Sequence, residues 1–409
     1  MTKQSHTERT AHEPRDATLH TVTISHITQV SPTIRLFCFD LAENDSITFL
    51  PGQWVDLHLP PETNITKAGG FTITSSPTLA LSNQPRPPSQ DQDRDEDQDQ
   101  DQDPNHPTTA PTTASSILNS TTPYIELAIQ SSPQNPTAAY LFSPVSTLLH
   151  TPVQVRVGGR FVFPPPSLIP QPPGASTSTL TWTSTSISTS TSISTSISTS
   201  NSAASAHLSS AYRLRKLVLV AGGMGINPLM SILSSINDQQ GAVAGVRADK
   251  HRVKVEVEVE EVRVLYSVKD PRSSTPTPTP SPQGEENRGT INTGDVLFLD
   301  RIADVFGNGR VRGGVQLFVT GSGEDATASA TGSKKGEVEL TASGDYEIPL
   351  WRRRMTVQDV EEAVGEDNKE AAVVYVCGVP TMTDEFVEAL VARDGFGMDP
   401  ERVLFEKWW

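Results

Sequence analysis

The stretch Leu217-Val218-Leu219-Val220-Ala221-Gly222-Gly223-Met224-Gly225-Ile226-Asn227-Pro228 decides the fold of the C-terminal half. Its continuous apolar run suits a strand covered on both faces. The glycines make a tight turn. Asn227 is a good N-cap and Pro228 fits the first helical position. Leu229, Ile232, Leu233 and Ile236 then repeat at helical spacing. The same order recurs downstream. Val373-Val374-Tyr375-Val376-Cys377 reads as a strand and Gly378-Val379-Pro380 as a turn. Thr381 and Asp384 have capping-box spacing ahead of Phe386, Val387, Leu390 and Val391. Between the two units, residues 262–266 and 315–319 are strand-like. Alternating strands and helices predict an α/β fold with a doubly wound parallel sheet. Such sheets bind ligands beyond the carboxyl ends of their strands, where both glycine turns would lie.

A glycine turn ahead of a helix has a mechanical use. Without a Cβ, the backbone lets a pyrophosphate approach, and the helix N-terminus offers amide donors. Gly222, Gly223 and Gly225 do not follow the spaced G-x-G-x-x-G pattern. Both a tight strand–helix turn and a dinucleotide cradle suit them, and the strand and helix on either side favour the cradle.

The first half alternates with period two. Val22, Ile24 and His26 open the series, followed by Ile34, Leu36 and Cys38, then residues 54–59 after the Pro51-Gly52 turn. Residues 71–74, 125–129 and 153–157 continue it. Six short strands with almost no helical pattern predict a small antiparallel β-barrel or sandwich. Cys38, within a strand, reads as a small buried residue.

Four stretches have compositions that bury too little apolar surface to fold: 82–120, 167–210, 271–290 and 321–347. The expected organisation is therefore a barrel over 17–166 with an insertion at 82–120, a Ser/Thr-rich linker at 167–210, and an α/β domain over 211–409 with insertions at 271–290 and 321–347. The net charge is −16, and residues 91–103 contribute seven Asp and one Glu against one Arg. That balance argues against non-specific nucleic-acid binding, which needs cations to replace counterions. Two cysteines cannot ligate an all-cysteine iron–sulfur cluster. No metal-binding set is visible. No apolar run reaches the roughly 20 residues of a membrane span. Cytosol is the expected compartment and mitochondrial import the alternative.

The motifs together resemble the ferredoxin–NADP⁺ reductase superfamily. Residues 221–228 look like its nicotinamide-nucleotide signature. Tyr375-Val376-Cys377-Gly378-Val379-Pro380 with Met382 resembles the second signature, and Val264-Leu265-Tyr266-Ser267 the central strand. The end, Phe405-Glu406-Lys407-Trp408-Trp409, resembles its terminal strand with an aromatic residue. Gly69-Gly70-Phe71-Thr72-Ile73-Thr74-Ser75 resembles the flavin segment Arg-x-Tyr-Ser/Thr, and Val157-Gly158-Gly159-x-Phe161 is shared with the oxidoreductase NAD-binding domain-containing subgroup.

The resemblance implies FAD on the barrel and NAD(P)H on the α/β domain, with NADH preferred. A hydride would pass from nicotinamide to flavin, and electrons would go on to an external small-molecule or protein acceptor. Phe71 would pack on the isoalloxazine ring, with Thr72 near its N5. Gly69 stands where the family has Arg, and Lys67 is the substitute cation. Asn135-Pro136-Thr137-Ala138 occupies the place of a Gly-x-x-Ser/Thr pyrophosphate segment, departing from it at Asn135 and Ala138. Cys377 would line the nicotinamide or serve as a buried strand-end residue. Glu406 would handle protons or be an exposed terminal carboxylate. Trp409 would stack on the flavin or anchor the last strand. Lys269 and Arg272 would favour a 2′-phosphate, whereas Asp270 would favour a ribose hydroxyl. A non-catalytic nucleotide-binding protein is the reading from a different class. Deleting 85–115 is expected to leave the melting temperature nearly unchanged by calorimetry; a loss of several degrees would show that the segment packs on the barrel.

Overall fold

The computed structural model describes residues 5–42, 45–81, 122–168, 212–242, 257–271, 291–321 and 339–408. The expected insertion at 82–120 lies outside them, as do 169–210, 272–290, 322–338 and Trp409.

A short helix, α1 (His6–Arg9), precedes six antiparallel strands: β1 (His20–Ser31), β2 (Ile34–Leu41), β3 (Trp54–His58), β4 (Gly69–Thr72), β5 (Tyr124–Gln130) and β6 (Pro152–Gly158). They run in the order β4-β3-β6-β1-β2-β5. A bridge from Ile73, just past β4, to Leu127 of β5 brings the two ends of the sheet together. Val22, Ile24, Phe37, Phe39, Val55 and Leu57 fill the interior, as the alternation predicts. Cys38 is buried. Two short helices, α2 (Pro136–Tyr140) and α3 (Val145–Leu148), link β5 to β6.

The second half is a mostly parallel sheet. Its strands are β8 (Lys216–Gly222), β10 (Val262–Lys269), β11 (Gly313–Thr320), β12 (Glu339–Ser343), β13 (Tyr346–Trp351), β14 (Ala372–Gly378) and β15 (Val403–Lys407), with β7 (Tyr212–Leu214) and β9 (Val257–Val259) pairing separately. The order β12-β13-β11-β10-β8-β14-β15 reverses direction in sequence between β8 and β14. Four helices cover it: α4 (Ile226–Ala242), α5 (Leu299–Gly307), α6 (Val357–Val364) and α7 (Pro380–Val391). Leu217, Leu219 and Ala221 pack with residues of α4 and α5. Val218 and Val220 pack with residues of α6 and α7. That double burial is why β8 reads as an unbroken apolar run. Among the described residues, no helix is long and apolar enough to cross a membrane.

Three local expectations are corrected. Asn227 is not an N-cap: the chain enters α4 through a 3₁₀ turn at Gly223–Gly225, and the helix includes Asn227 and Pro228. Its Nδ2 instead donates to the Ala128 carbonyl, 3.0 Å away on the barrel. Thr381 and Asp384 form no capping box; Val379 is the N-cap without a side-chain bond, and Asp384 pairs with Lys407 at 2.5 Å. The box belongs to Thr356 and Asp359 at α6. Finally, part of 321–347 is folded. Residues 339–343 form the antiparallel edge strand β12 on β13, with Glu339 held by Arg352 at 2.9 Å.

The two halves meet along a hydrogen-bonded seam. Tyr375 Oη donates to the Val162 carbonyl at 2.6 Å, and Ser231 Oγ to the Ser75 carbonyl at 2.8 Å. Arg301 Nη1 donates to Glu126 Oε1 at 2.7 Å. Tyr375→Phe would leave the Val162 carbonyl without this donor. A stability loss of about 1–2 kcal/mol is expected in chemical denaturation, the usual cost of one orphaned buried group.

Candidate functional site

The reversal between β8 and β14 brings their two glycine turns together. A Cβ on Gly225 would stand 2.0 Å from the Cys377 carbonyl oxygen, and one on Gly378 would stand 3.2 Å from the Gly222 Cα. Met382, half-buried on α7, lies over both Gly222 and Gly378. Gly225 is therefore required by close packing of the turns, and Gly378 is held tightly by it, while Gly222 lies under the Met382 side chain. Gly223 differs. It is exposed, has φ +55°, and a Cβ there would meet nothing within 4 Å. It is the position of this turn that a ligand can reach.

The surroundings suit an anionic ligand. Neither the Gly223–Gly225 turn nor α7, which starts at Pro380, has a side-chain cap, so neither helix start uses a side chain to satisfy its amides. Met224 is half-buried beside Gly223, and Ile226 is buried in the core. Ser267, half-buried, pairs with Gly222 at the carboxyl end of β10. Pro228 is buried, and Asn227 Oδ1 is enclosed without a partner. Asp270 is 3% exposed, with Arg352 3.8 Å away, so its carboxylate is turned inward rather than presented to a ribose. Lys269 is exposed. Arg272 lies outside the described residues.

The residues implied for a flavin are arranged differently. Phe71 is 7% exposed and belongs to the barrel core with Val55 and Ile73. A Cβ on Gly69 would stand 2.6 Å from the Phe71 ring and 2.9 Å from Thr137, so ring and helix fill the space a side chain would need. Asn135 caps α2, its Oδ1 accepting from the amides of Thr137 at 3.1 Å and Ala138 at 3.2 Å. Those amides, expected to hold a pyrophosphate, are thus satisfied within the chain. Lys67 is exposed and its carbonyl accepts from Thr137 Oγ1. Thr74 Oγ1 is committed to Glu126 at 2.7 Å. Thr72 is fully buried, its hydroxyl without a partner. Gly70 is covered by the His6 imidazole, 2.1 Å from where its Cβ would be. In this conformation the barrel does not fit FAD.

Cys377 is fully buried, matching the strand-end alternative. Burial, with Glu406 nearby, pushes its thiol well above the ordinary range. Glu406 is its neighbour on β15 and is not an exposed carboxylate: the residue is half-buried, but Oε2 is enclosed. Burial pushes the Glu406 carboxyl up to about 8; Glu13 adds repulsion, and the Trp408 indole opposes the rise without a hydrogen bond of ordinary geometry. Trp408 was not among the expected site residues. Only its place in an aromatic terminal pair marked it.

Because the folded-state value of Glu406 is raised, the native chain holds a proton that the unfolded chain has already released between about pH 4.5 and 8. Its contribution to stability therefore falls as pH rises through that window. Glu406→Gln should melt like the wild type at pH 4.5 and higher than it above pH 8, a comparison that scanning calorimetry makes directly.

No protein-family profile matches the chain. It is similar to oxidoreductase NAD-binding domain-containing protein 1 of Bos taurus, 25% identical over 407 residues that span 100% of this chain and 86% of that protein. The Danio rerio protein of the same name is 24% identical, covering 100% of this chain and 98% of its own. Among solved structures, a ferredoxin NADP⁺ reductase from Neisseria gonorrhoeae with bound FAD and NADP matches 96% of this chain and 100% of its own, at 12% identity and a TM-score of 0.47. Over essentially its whole length the chain is similar to the oxidoreductase NAD-binding domain-containing proteins, the subgroup its motifs resemble.

Proposed function

We propose that the chain is a nicotinamide-nucleotide-dependent oxidoreductase whose dinucleotide lies across the carboxyl ends of β8 and β14. The observation that carries this reading is Gly223, with its positive φ and open space ahead of an uncapped helix start. Backbone amides of the turn would hold the pyrophosphate, and Met382 and Ser267 would border it. A bound nicotinamide supplies a hydride. The chain's own contribution is to orient that ring and to keep a proton on Glu406 near neutral pH. The acceptor is external, a small molecule or a protein. NADH is the coenzyme we assign. Among the described residues at the end of β10, Lys269 is the one exposed cation, a thin cradle for a 2′-phosphate.

A second reading, a nucleotide-binding protein without turnover, is favoured by Asn135, which occupies the amides that a flavin pyrophosphate would need. NADH titration followed by NADH oxidation with ferricyanide separates the two. Saturable binding with turnover supports the oxidoreductase. Binding without turnover supports the second reading, and absence of binding removes both.

Gly223→Ala tests the cradle itself. Its side chain would sit at positive φ and extend into the space reserved for phosphate. We expect a loss of roughly 1–3 kcal/mol in NADH binding, about a fivefold to 150-fold rise in Kd by calorimetric titration. Unchanged affinity in a folded variant would take this loop out of the site.

A further inference from the structure

A buried cation stands at the carboxyl edge of the sheet, beyond the glycine turns. Arg352 directly follows β13 and Asp270 directly follows β10, with β11 between the two strands. Asp270 donates its amide to the Thr320 carbonyl at 2.8 Å, which fixes it beside the end of β11. Val264 and Tyr266 face the core shared with α4 and α5, and so do Ile348 and Leu350. By the alternation of a strand, Asp270 and Arg352 continue these two rows on the same side. Arg352 Nη1 reaches across the end of β11 to within 3.8 Å of Asp270 Oδ2, and the two side chains are 14% and 5% exposed.

The guanidinium is held from the edge of the sheet. Its Nε donates to both carboxylate oxygens of Glu339, each at 2.9 Å. Glu339 opens β12, the strand paired antiparallel with β13. Nη1, in contrast, is enclosed without a hydrogen-bond partner, so its tie to Asp270 is one of charge. A carboxylate with a guanidinium beside it presents little net charge to its surroundings.

The place of Asp270 matters for a coenzyme. β10 lies beside β8 and is the next strand of the sheet after α4. In dinucleotide-binding sheets the end of that strand supplies the acidic side chain that takes a ribose 2′-hydroxyl, and an unmatched carboxylate there repels a 2′-phosphate. Here the carboxylate is buried and its charge is matched by Arg352. The exposed Lys269 precedes it.

We propose that Arg352 is a specificity-determining residue: by matching the charge of Asp270 it lets the adenosine end of the site accept a 2′-phosphate as well as a 2′-hydroxyl, so that NADPH binds within about tenfold of NADH. Strand β12 serves this role by holding the guanidinium through Glu339. The role rests on the coenzyme site proposed above and adds to it a residue from the far edge of the sheet.

NADH and NADPH are titrated separately into the full chain, with calorimetry as the readout. Arg352→Met keeps an apolar stem and removes the charge, so NADPH should weaken about tenfold relative to NADH, a gap that added salt narrows. Asp270→Asn leaves the guanidinium on Glu339 and removes the charge it matches, so the ratio should move about as far the other way. The double variant should return to the wild-type ratio. A ratio that neither single variant moves, or a double variant that does not return, would overturn the role of Arg352. Weaker NADH binding by Asp270→Asn would do the same, because the carboxylate would then be holding the ribose itself, and that measurement does not need Arg352→Met to fold. A wild-type chain that binds both coenzymes with a gap well over about tenfold also counts against Arg352 alone. One that binds neither overturns the coenzyme site and this role together.

Discussion

Gly225 rests against the peptide between Cys377 and Gly378, so closely that a Cβ would stand 2.0 Å from the carbonyl oxygen. This backbone-on-backbone contact sets the distance between the two turns at the reversal of the sheet. Gly222 and Gly378 extend it, and Met382 covers it. Everything at the carboxyl edge is registered from there, including the exposure of Gly223. A larger residue in place of Gly225 would push β14 away from the turn that opens α4. Thus most of the glycines are taken up by the packing of the turns, and Gly223 alone of the four faces open space.

Charge organises the opposite side of the barrel. Burial alone would raise the carboxyl of Asp56, yet the Arg15 and Arg156 guanidiniums bonded to it, with the His6 imidazole 3.2 Å away, hold it well below the usual range. A buried carboxylate tolerates such a position only with its partners in place. Two of the three come from the N-terminal segment. The barrel and that segment therefore depend on each other electrostatically, beside the backbone bonds of Pro14 and Asp16 and the contacts of His6 and Arg15 with Trp54.

The sequence made the strands and their layers legible because burial imposes a period. Six alternating runs gave the barrel, and the unbroken run at 217–221 gave a strand covered on both faces. What stayed hidden depends on partners far along the chain. Asn227 looked like a cap because capping is judged from neighbours, whereas its donor goes to Ala128 on the other half. The strand at 339–343 hid behind a Gly-, Ser- and Thr-rich surrounding; at a sheet edge only Thr341 is buried, so no apolar pattern is required. Phe71 sits at the expected place in its motif but faces inward, because Gly69 leaves room for its ring. Nothing local to His6 or Asp56 announces that they meet.

Several of the bonds that join the two halves end on a main-chain carbonyl of the barrel side: Ala128, Ser75 and Val162 accept from Asn227, Ser231 and Tyr375. A carbonyl is present whatever the side chain. The barrel can therefore exchange residues at these three positions and still offer the same acceptors, whereas the donors on the α/β half are tied to their residue type. Substitution should accumulate unevenly across this boundary, freely on one bank and sparingly on the other, with the docking geometry carried through unchanged.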